Sequence, residues 1–333
     1  MHLIFTIIIL LGFVYVCRIL AKLLHIPSVV GFMISGIILG SEVLINLVIS
    51  PNEIIILNVG NIGLIILMFM AGFESSWTFI VKEKKDAVIH ALSASIIPFL
   101  LGIIIFKFLL NFSWISSLIV GICLSITAEA TKADVLLELN KIKTKVGSAM
   151  MGAGILDDII GLSVFIVVSY FLKDKFVKED ILIAGVILAF FLGILLQTHI
   201  KKKTKAMEKI EKTLLITIVP FFFITIGIEL KLFSMMLNIS LLVIIILIAI
   251  MGKIIGILIT KPFGDFSWKQ LYLIGWGMNS RGAVELAIAL VAFRTGLINS
   301  EIYSSLIIMA LITTLIFPFI VSKMIKKDKD IMN

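Results

Sequence analysis

The chain has 333 residues, 60% of them hydrophobic, with a mean hydropathy of +1.19 and a net charge of +8. A composition this apolar excludes a soluble globular domain and marks a polytopic membrane protein. The excess of lysine sorts by loop, so a sequence pI near 9.4 needs no nucleic-acid partner to explain it.

Apolar runs of about twenty residues recur along the chain, each long enough to cross a bilayer as a helix. The pattern predicts an all-α polytopic protein of about eleven transmembrane helices. They are Leu3–Leu24, Val29–Val48, Ile54–Phe73, Ala87–Leu110, Trp114–Leu139, Val146–Leu172, Ile181–His199, Leu214–Leu232, Met236–Ile259, Trp268–Phe293 and Ile302–Met324. The first is not a cleaved leader: it lacks a basic start, and Arg18 and Lys22 follow its apolar stretch. Loops after odd-numbered spans, with the C-terminal tail, hold twenty lysines and arginines. The opposite side holds six: Lys107, Lys173, Lys175, Lys178, Lys231 and Arg294. The N-terminus is therefore expected outside and the C-terminus in the cytoplasm. Three cations remain, Lys132, Lys253 and Arg281, and all fall inside spans.

Cys17 and Cys123 lie within apolar helices and read as small buried residues, with no disulfide framework. No histidine has a partner at metal-ligand spacing, so no metal or other cofactor is expected.

The fifth span carries Thr127, Glu129, Thr131, Lys132 and Asp134 within eight residues. The tenth carries Gly275, Gly277, Asn279, Ser280, Arg281, Gly282 and Glu285. No lipid-facing helix tolerates that density of polar groups, so both are expected to be broken where they line a cavity. Arg281 and Glu285 are at i, i+4 and can pair along one face if the segment is helical. Two readings stand for Lys132: it neutralises the carbonyl end of a half-helix, or it snorkels to the interface.

Between these spans lies Gly152-Ala153-Gly154-Ile155-Leu156-Asp157-Asp158-Ile159-Ile160-Gly161-Leu162. An acid at this depth costs at least about 2.5–3.5 kcal/mol, so two adjacent ones point to function. Neighbouring helical residues are offset by roughly 100°, so one acid can face a cavity while the other faces a partner. Lys253 sits mid-span in Gly252-Lys253-Ile254-Ile255-Gly256. A lysine and an aspartate buried together oppose each other's loss of charge, and such a pair is poised to exchange protons.

Gly72-Phe73-Glu74 ends the third span and Gly227-Ile228-Glu229 the eighth, 155 residues apart. Span two (Gly36) aligns with span seven (Gly193) at an offset of 157. Elements five spans apart face opposite ways across the membrane, so this is an inverted repeat, a recurring transporter architecture.

These motifs, in this order, resemble the monovalent cation:proton antiporters, second family, of the sodium/proton exchanger type. Ile155-Leu156-Asp157-Asp158 resembles the family's double aspartate. Residues His25 to Gly40, Gly63 to Glu74, Pro220 to Gly227 and Met278 to Leu286 resemble its other signatures. The resemblance implies that Asp158 is the essential ion-binding carboxylate and that Asp157 pairs with Lys253. It implies that Thr127 lies in the unwound part of the first crossing helix, with Arg281 and Glu285 in the second. Thr127 then joins Asp157 and Asp158 in ion binding, while Glu129, Lys132, Arg281 and Glu285 compensate charge.

Further implied are an elevator-like movement, a homodimer in the plasma membrane among its lipids, and exchange of H⁺ for Na⁺, Li⁺ or another monovalent cation. The expected organisation is one transmembrane exchanger unit over 1–333. Repeat halves 54–172 and 214–325 form its core, and 1–48 and 181–199 its scaffold and dimerisation helices. Two departures stand out. Only Ile181–His199 separates the double-aspartate span from Phe221-Phe222-Phe223, so about two spans are missing, and no soluble regulatory domain follows Lys329.

A K⁺/H⁺ exchanger is the nearest alternative, since carboxylate and carbonyl oxygens accept Na⁺, Li⁺ and K⁺ alike. An intramembrane aspartyl protease needs two acids facing each other across one water, which adjacent residues of one helix do not provide. A transporter rather than an enzyme is expected, and buried titratable groups favour coupled exchange over a passive channel.

Overall fold

The computed structural model describes residues 3–24, 26–74, 84–171, 180–200, 204–230, 238–328 and 330–332. His25, the lysines at 173, 175, 178, 201–203 and 231, and Lys82 lie outside them. The described residues are helical, with no strand among them. They form two compact units, 1–74 with 181–237 and 75–180 with 238–333.

The first unit contains α1 (Leu3–Leu23), α2 (Ser28–Leu39), α3 (Glu53–Glu74), α8 (Asp180–His199), α9 (Lys205–Thr217) and α10 (Val219–Leu230). Its helices meet through glycines. A Cβ on Gly40 would come within 2.9 Å of Gly227 Cα, and one on Gly227 within 2.9 Å of Ile37 N. On α3, a Cβ at Gly63 would sit 2.8 Å from the Ile218 carbonyl oxygen. Gly193 of α8 is as tight, 2.7 Å from Phe73 N. Small residues let backbones approach this closely, which gives dispersion contacts where lipid supplies no hydrophobic drive.

The glycine contacts also carry the repeat. Gly36 packs against Gly227, and Gly193 packs against Gly72. The sequence offsets equate Gly36 with Gly193 and Gly72 with Gly227, so each contact is the other with the two halves exchanged.

The second unit contains α4 (Lys84–Ile104), α5 (Trp114–Ser125), α6 (Glu129–Glu138), α7 (Lys145–Phe171), α11 (Ile239–Leu258), α12 (Trp268–Gly277), α13 (Ala283–Arg294) and α14 (Ser300–Lys327). The starts of α4 and α11 are 155 residues apart, of α5 and α12 154, of α6 and α13 154, and of α7 and α14 155. Four elements thus repeat in one order at one spacing. Their caps repeat too: Ser113 accepts from Ser116 N at α5, and Ser267 accepts from Gln270 N at α12. Each satisfies one orphan amide at a helix start.

A buried cluster of Met150, Phe266, Leu271, Ile274 and Phe317 closes one end of this unit. Residues Ile331 and Met332 fold back into it, and Val146 N–H donates to the Met332 carbonyl at 3.3 Å. The chain's last described residues thereby cap the start of α7, the helix of the double aspartate.

Residues 54–74 and 214–230 pack with α1, α2 and α8 through the glycine contacts. The structure departs from the expected elements in two places. The second expected span is not one helix. The twelve residues of α2 stop at Gly40, and short α, π and 3-10 turns over 42–52 lead into α3. The eighth begins as an amphipathic, surface-exposed α9 and breaks at Ile218 before α10. Pro220 has no amide to continue the ladder, and Phe221 N bonds instead to Ile218 O at 3.1 Å. Among the described residues, eight helical stretches are long and apolar enough to cross a membrane.

Candidate functional site

Two interruptions meet inside the second unit. Between α5 and α6 the chain runs extended through Ile126 and Ala128, and between α12 and α13 it unwinds from Met278 to Gly282. They bind each other: Ala128 N–H donates to the Ser280 carbonyl at 2.9 Å, and Ser280 Oγ donates to the Ala128 carbonyl at 2.9 Å. A Cβ on Gly282 would lie 2.6 Å from Ala128 Cβ, so only glycine lets the strands cross here. Unwound backbone is stable at this depth because each break supplies the other's partners.

The end of α5 exposes carbonyls with no intrahelical partner, and two cations collect them. Arg281 Nη1 donates to the carbonyls of Cys123 (3.1 Å), Leu124 (3.0 Å) and Ile126 (2.6 Å). Lys253 Nζ donates to the Ser125 carbonyl. Arg281 also reaches Glu285 Oε2 at 3.5 Å, although it lies in the unwound stretch and not on a helix.

Lys253 is fully buried and lies 2.9 Å from Asp157 Oδ2 and 2.9 Å from Thr127 Oγ1. Thr127 donates twice to Asp157, from its hydroxyl at 2.5 Å and from its amide at 3.2 Å. Asp157, Lys253 and Thr127 therefore form one closed knot at the crossing.

Asp158, the next residue on α7, is 3% exposed and stands apart from that knot. It has no ion pair among the described residues, and its Oδ1 accepts no hydrogen bond. Glu129, the first residue of α6, lies 2.8 Å from Lys132 Nζ. Lys132 is 1% exposed and donates to the Met150 carbonyl of α7 at 2.7 Å. Its Nζ also lies 3.5 Å from Sδ of Met278, the residue that caps the end of α12. The short tether of Lys132 within α6 holds it beside Glu129 and under α7.

All eight expected site residues are thus buried in the second unit. Sequence reasoning named Ser280 only as one polar residue of the tenth span and passed over Thr314. Thr314 Oγ1 accepts from Arg281 N at 3.0 Å and donates to Arg281 O at 3.2 Å, which holds the second break open. A threonine inside an apolar helix was the available signal, but it is ordinary in membrane spans.

The profile of the transmembrane sodium/hydrogen exchangers matches residues 7–188 and 176–327. The chain belongs to this family of monovalent cation:proton antiporters. The Na⁺/H⁺ antiporter of Enterococcus hirae is 28% identical over 91% of this chain and 92% of its own. The Na⁺/H⁺-K⁺ antiporter GerN of Bacillus cereus is 26% identical over 88% of each. In fold, the chain is similar to the sodium proton antiporter MjNhaP1 of Methanocaldococcus jannaschii, with a TM-score of 0.67 at 17% identity over 97% of this chain and 96% of that one. The two profile matches overlap at 176–188. The Enterococcus comparison runs over 362 positions while 91% of 333 is about 303 residues, so about 59 positions face no residue here.

Proposed function

We propose that the protein exchanges protons for a monovalent cation, Na⁺ first, with Asp158 as the alternating site. One observation carries the assignment. The described interior of the second unit buries four carboxylates, Asp157, Asp158, Glu129 and Glu285, and three strong cations, Lys132, Lys253 and Arg281. Three pairs form, and Asp158 is the carboxylate left over. A lone buried carboxylate is costly unless something neutralises it. A proton or one monovalent cation does so equally, and the two compete for one group. Purified protein in proteoliposomes, with an internal pH dye and each cation added in turn, tests this. Na⁺-driven proton release is expected, and its absence with every monovalent cation overturns the reading.

The similarity to GerN, a Na⁺/H⁺-K⁺ antiporter, supports K⁺ as a second substrate. In this reading the Asp157–Lys253 pair opens when a cation occupies Asp158, and Lys253 gives up a second proton. Two protons against one cation move net charge, so exchange is electrogenic. The proposal places the protein in the plasma membrane as a homodimer, with the N-terminus outside, and has one unit carry the ion in an elevator-like movement. The total of about 59 unmatched positions is enough for about two spans of about 20 residues with their loops. Cysteines introduced at Lys203 and Lys175 should label from opposite sides, and labelling from one side overturns the topology.

A further inference from the structure

The Glu129–Lys132 pair has features that a packing ion pair does not need. Glu129 lies directly on the backbone of α7 at Gly154, where a Cβ would collide with Glu129 Oε1 and Lys132 Nζ and come within 2.7 Å of Glu129 Cδ. Gly154 is four residues before Asp158, one helical turn away on the same face. A helical side chain leans back over the turn that precedes it, so Asp158 leans over the ground that Gly154 leaves free. The carboxylate of Glu129 occupies that ground. Lys132 Nζ stands 2.8 Å from Glu129 Oε1, while Glu129 Oε2 is buried with no hydrogen-bond partner among the described residues. Asp158 Oδ1 is buried and unpartnered in the same way. Asp157, by contrast, has donors on both oxygens.

Buried carboxylate oxygens without donors are costly, and a bound cation is the partner that would satisfy them together. We propose that Glu129 is a second carboxylate ligand of the transported cation, facing Asp158 across the space above Gly154. Lys132 offsets one of the two carboxylates, so the seat with both ionised carries a net charge of minus one. The seat then takes a monovalent cation in preference to a divalent one. Gly154 is the positioning residue, because any side chain there displaces Glu129.

This inference rests on Asp158 as the alternating site, and the experiment separates the two. Cation dependence of proton release in proteoliposomes, and stabilisation of the detergent-purified protein by added Na⁺, are measured for four variants. Asp158→Asn is the control: if it still exchanges, the reading of Asp158 fails first. The double variant Glu129→Gln with Lys132→Gln keeps the net charge and removes the ligand. It should need about tenfold more Na⁺ or more for half-maximal release. A value within about twofold of native would show that the pair only packs, and overturns the proposal. Glu129→Asp keeps the charge but shortens the reach, and decides the matter should the double variant not purify intact. It should weaken Na⁺ and change the ratio of Li⁺, Na⁺ and K⁺ affinities, which a structural pair would not alter. Gly154→Ala should act in the same direction as Glu129→Asp without changing any charge. Native affinity and selectivity in Glu129→Asp and Gly154→Ala overturn the proposal.

Discussion

Asp157 and Asp158 are adjacent on one helix, equally buried, and treated oppositely by the fold. Asp157 receives a hydroxyl, an amide and an ammonium. Asp158 Oδ1 receives no hydrogen bond from the described residues. The difference follows from the offset of roughly 100° between successive helical residues. One direction faces the crossing, where Thr127 and Lys253 are fixed, and the other faces the turn of Gly154. A satisfied buried carboxylate holds structure together, whereas an unsatisfied one keeps a place for something that comes and goes. The same contrast weighs against a protease, whose two acids must serve one water.

Breaking the unsatisfied side should have the largest functional effect. Asp158→Asn is expected to abolish cation-driven proton release, while the purified variant melts no lower than native, because a neutral amide is cheaper to bury than an unpaired charge. Loss of folding in this variant would mean that Asp158 has an unseen structural partner. The next effect tests the opening of the satisfied side. Lys253→Arg stays charged at any working pH and removes one proton carrier. It should be inactive, or exchange without responding to an imposed potassium-diffusion potential. If native exchange itself ignores the potential, the Asp157–Lys253 pair is structural throughout.

Stability should reverse the order of the two aspartates. Asp157→Asn leaves Lys253 buried without its counter-charge and is expected to cost about 3–5 kcal/mol, read as a fall in melting temperature absent from Asp158→Asn. Equal melting temperatures would erase the contrast. The smallest effect lies in the first unit, which holds none of the ionisable groups of the site. Gly227→Ala forces α2 and α10 apart and should cost about 1–3 kcal/mol of stability. It should leave the Na⁺ concentration for half-maximal release unchanged in the protein that remains folded.

The sequence by itself determined what chemistry could not be hidden. Apolar runs located the helices, because a membrane helix must satisfy its backbone internally and show lipid an apolar face. Polar clusters at 127–134 and 275–285 announced the two breaks, since such groups cannot face lipid. The adjacent aspartates and Lys253 were visible as charges at a costly depth. The repeat offset of about 155 was legible in a few glycines and is borne by whole helices in the structure. Tertiary structure decided the rest, because it depends on which residues meet across long separations. That Arg281 serves carbonyls some 155 residues away, that Lys132 turns inward to Met150, and that 54–74 joins the first unit are matters of packing. So is the lack of a donor to Asp158 Oδ1 among the described residues. Periodicity places an acid on a face of a helix, but only the arrangement of its neighbours determines whether that acid is satisfied or left to bind an ion.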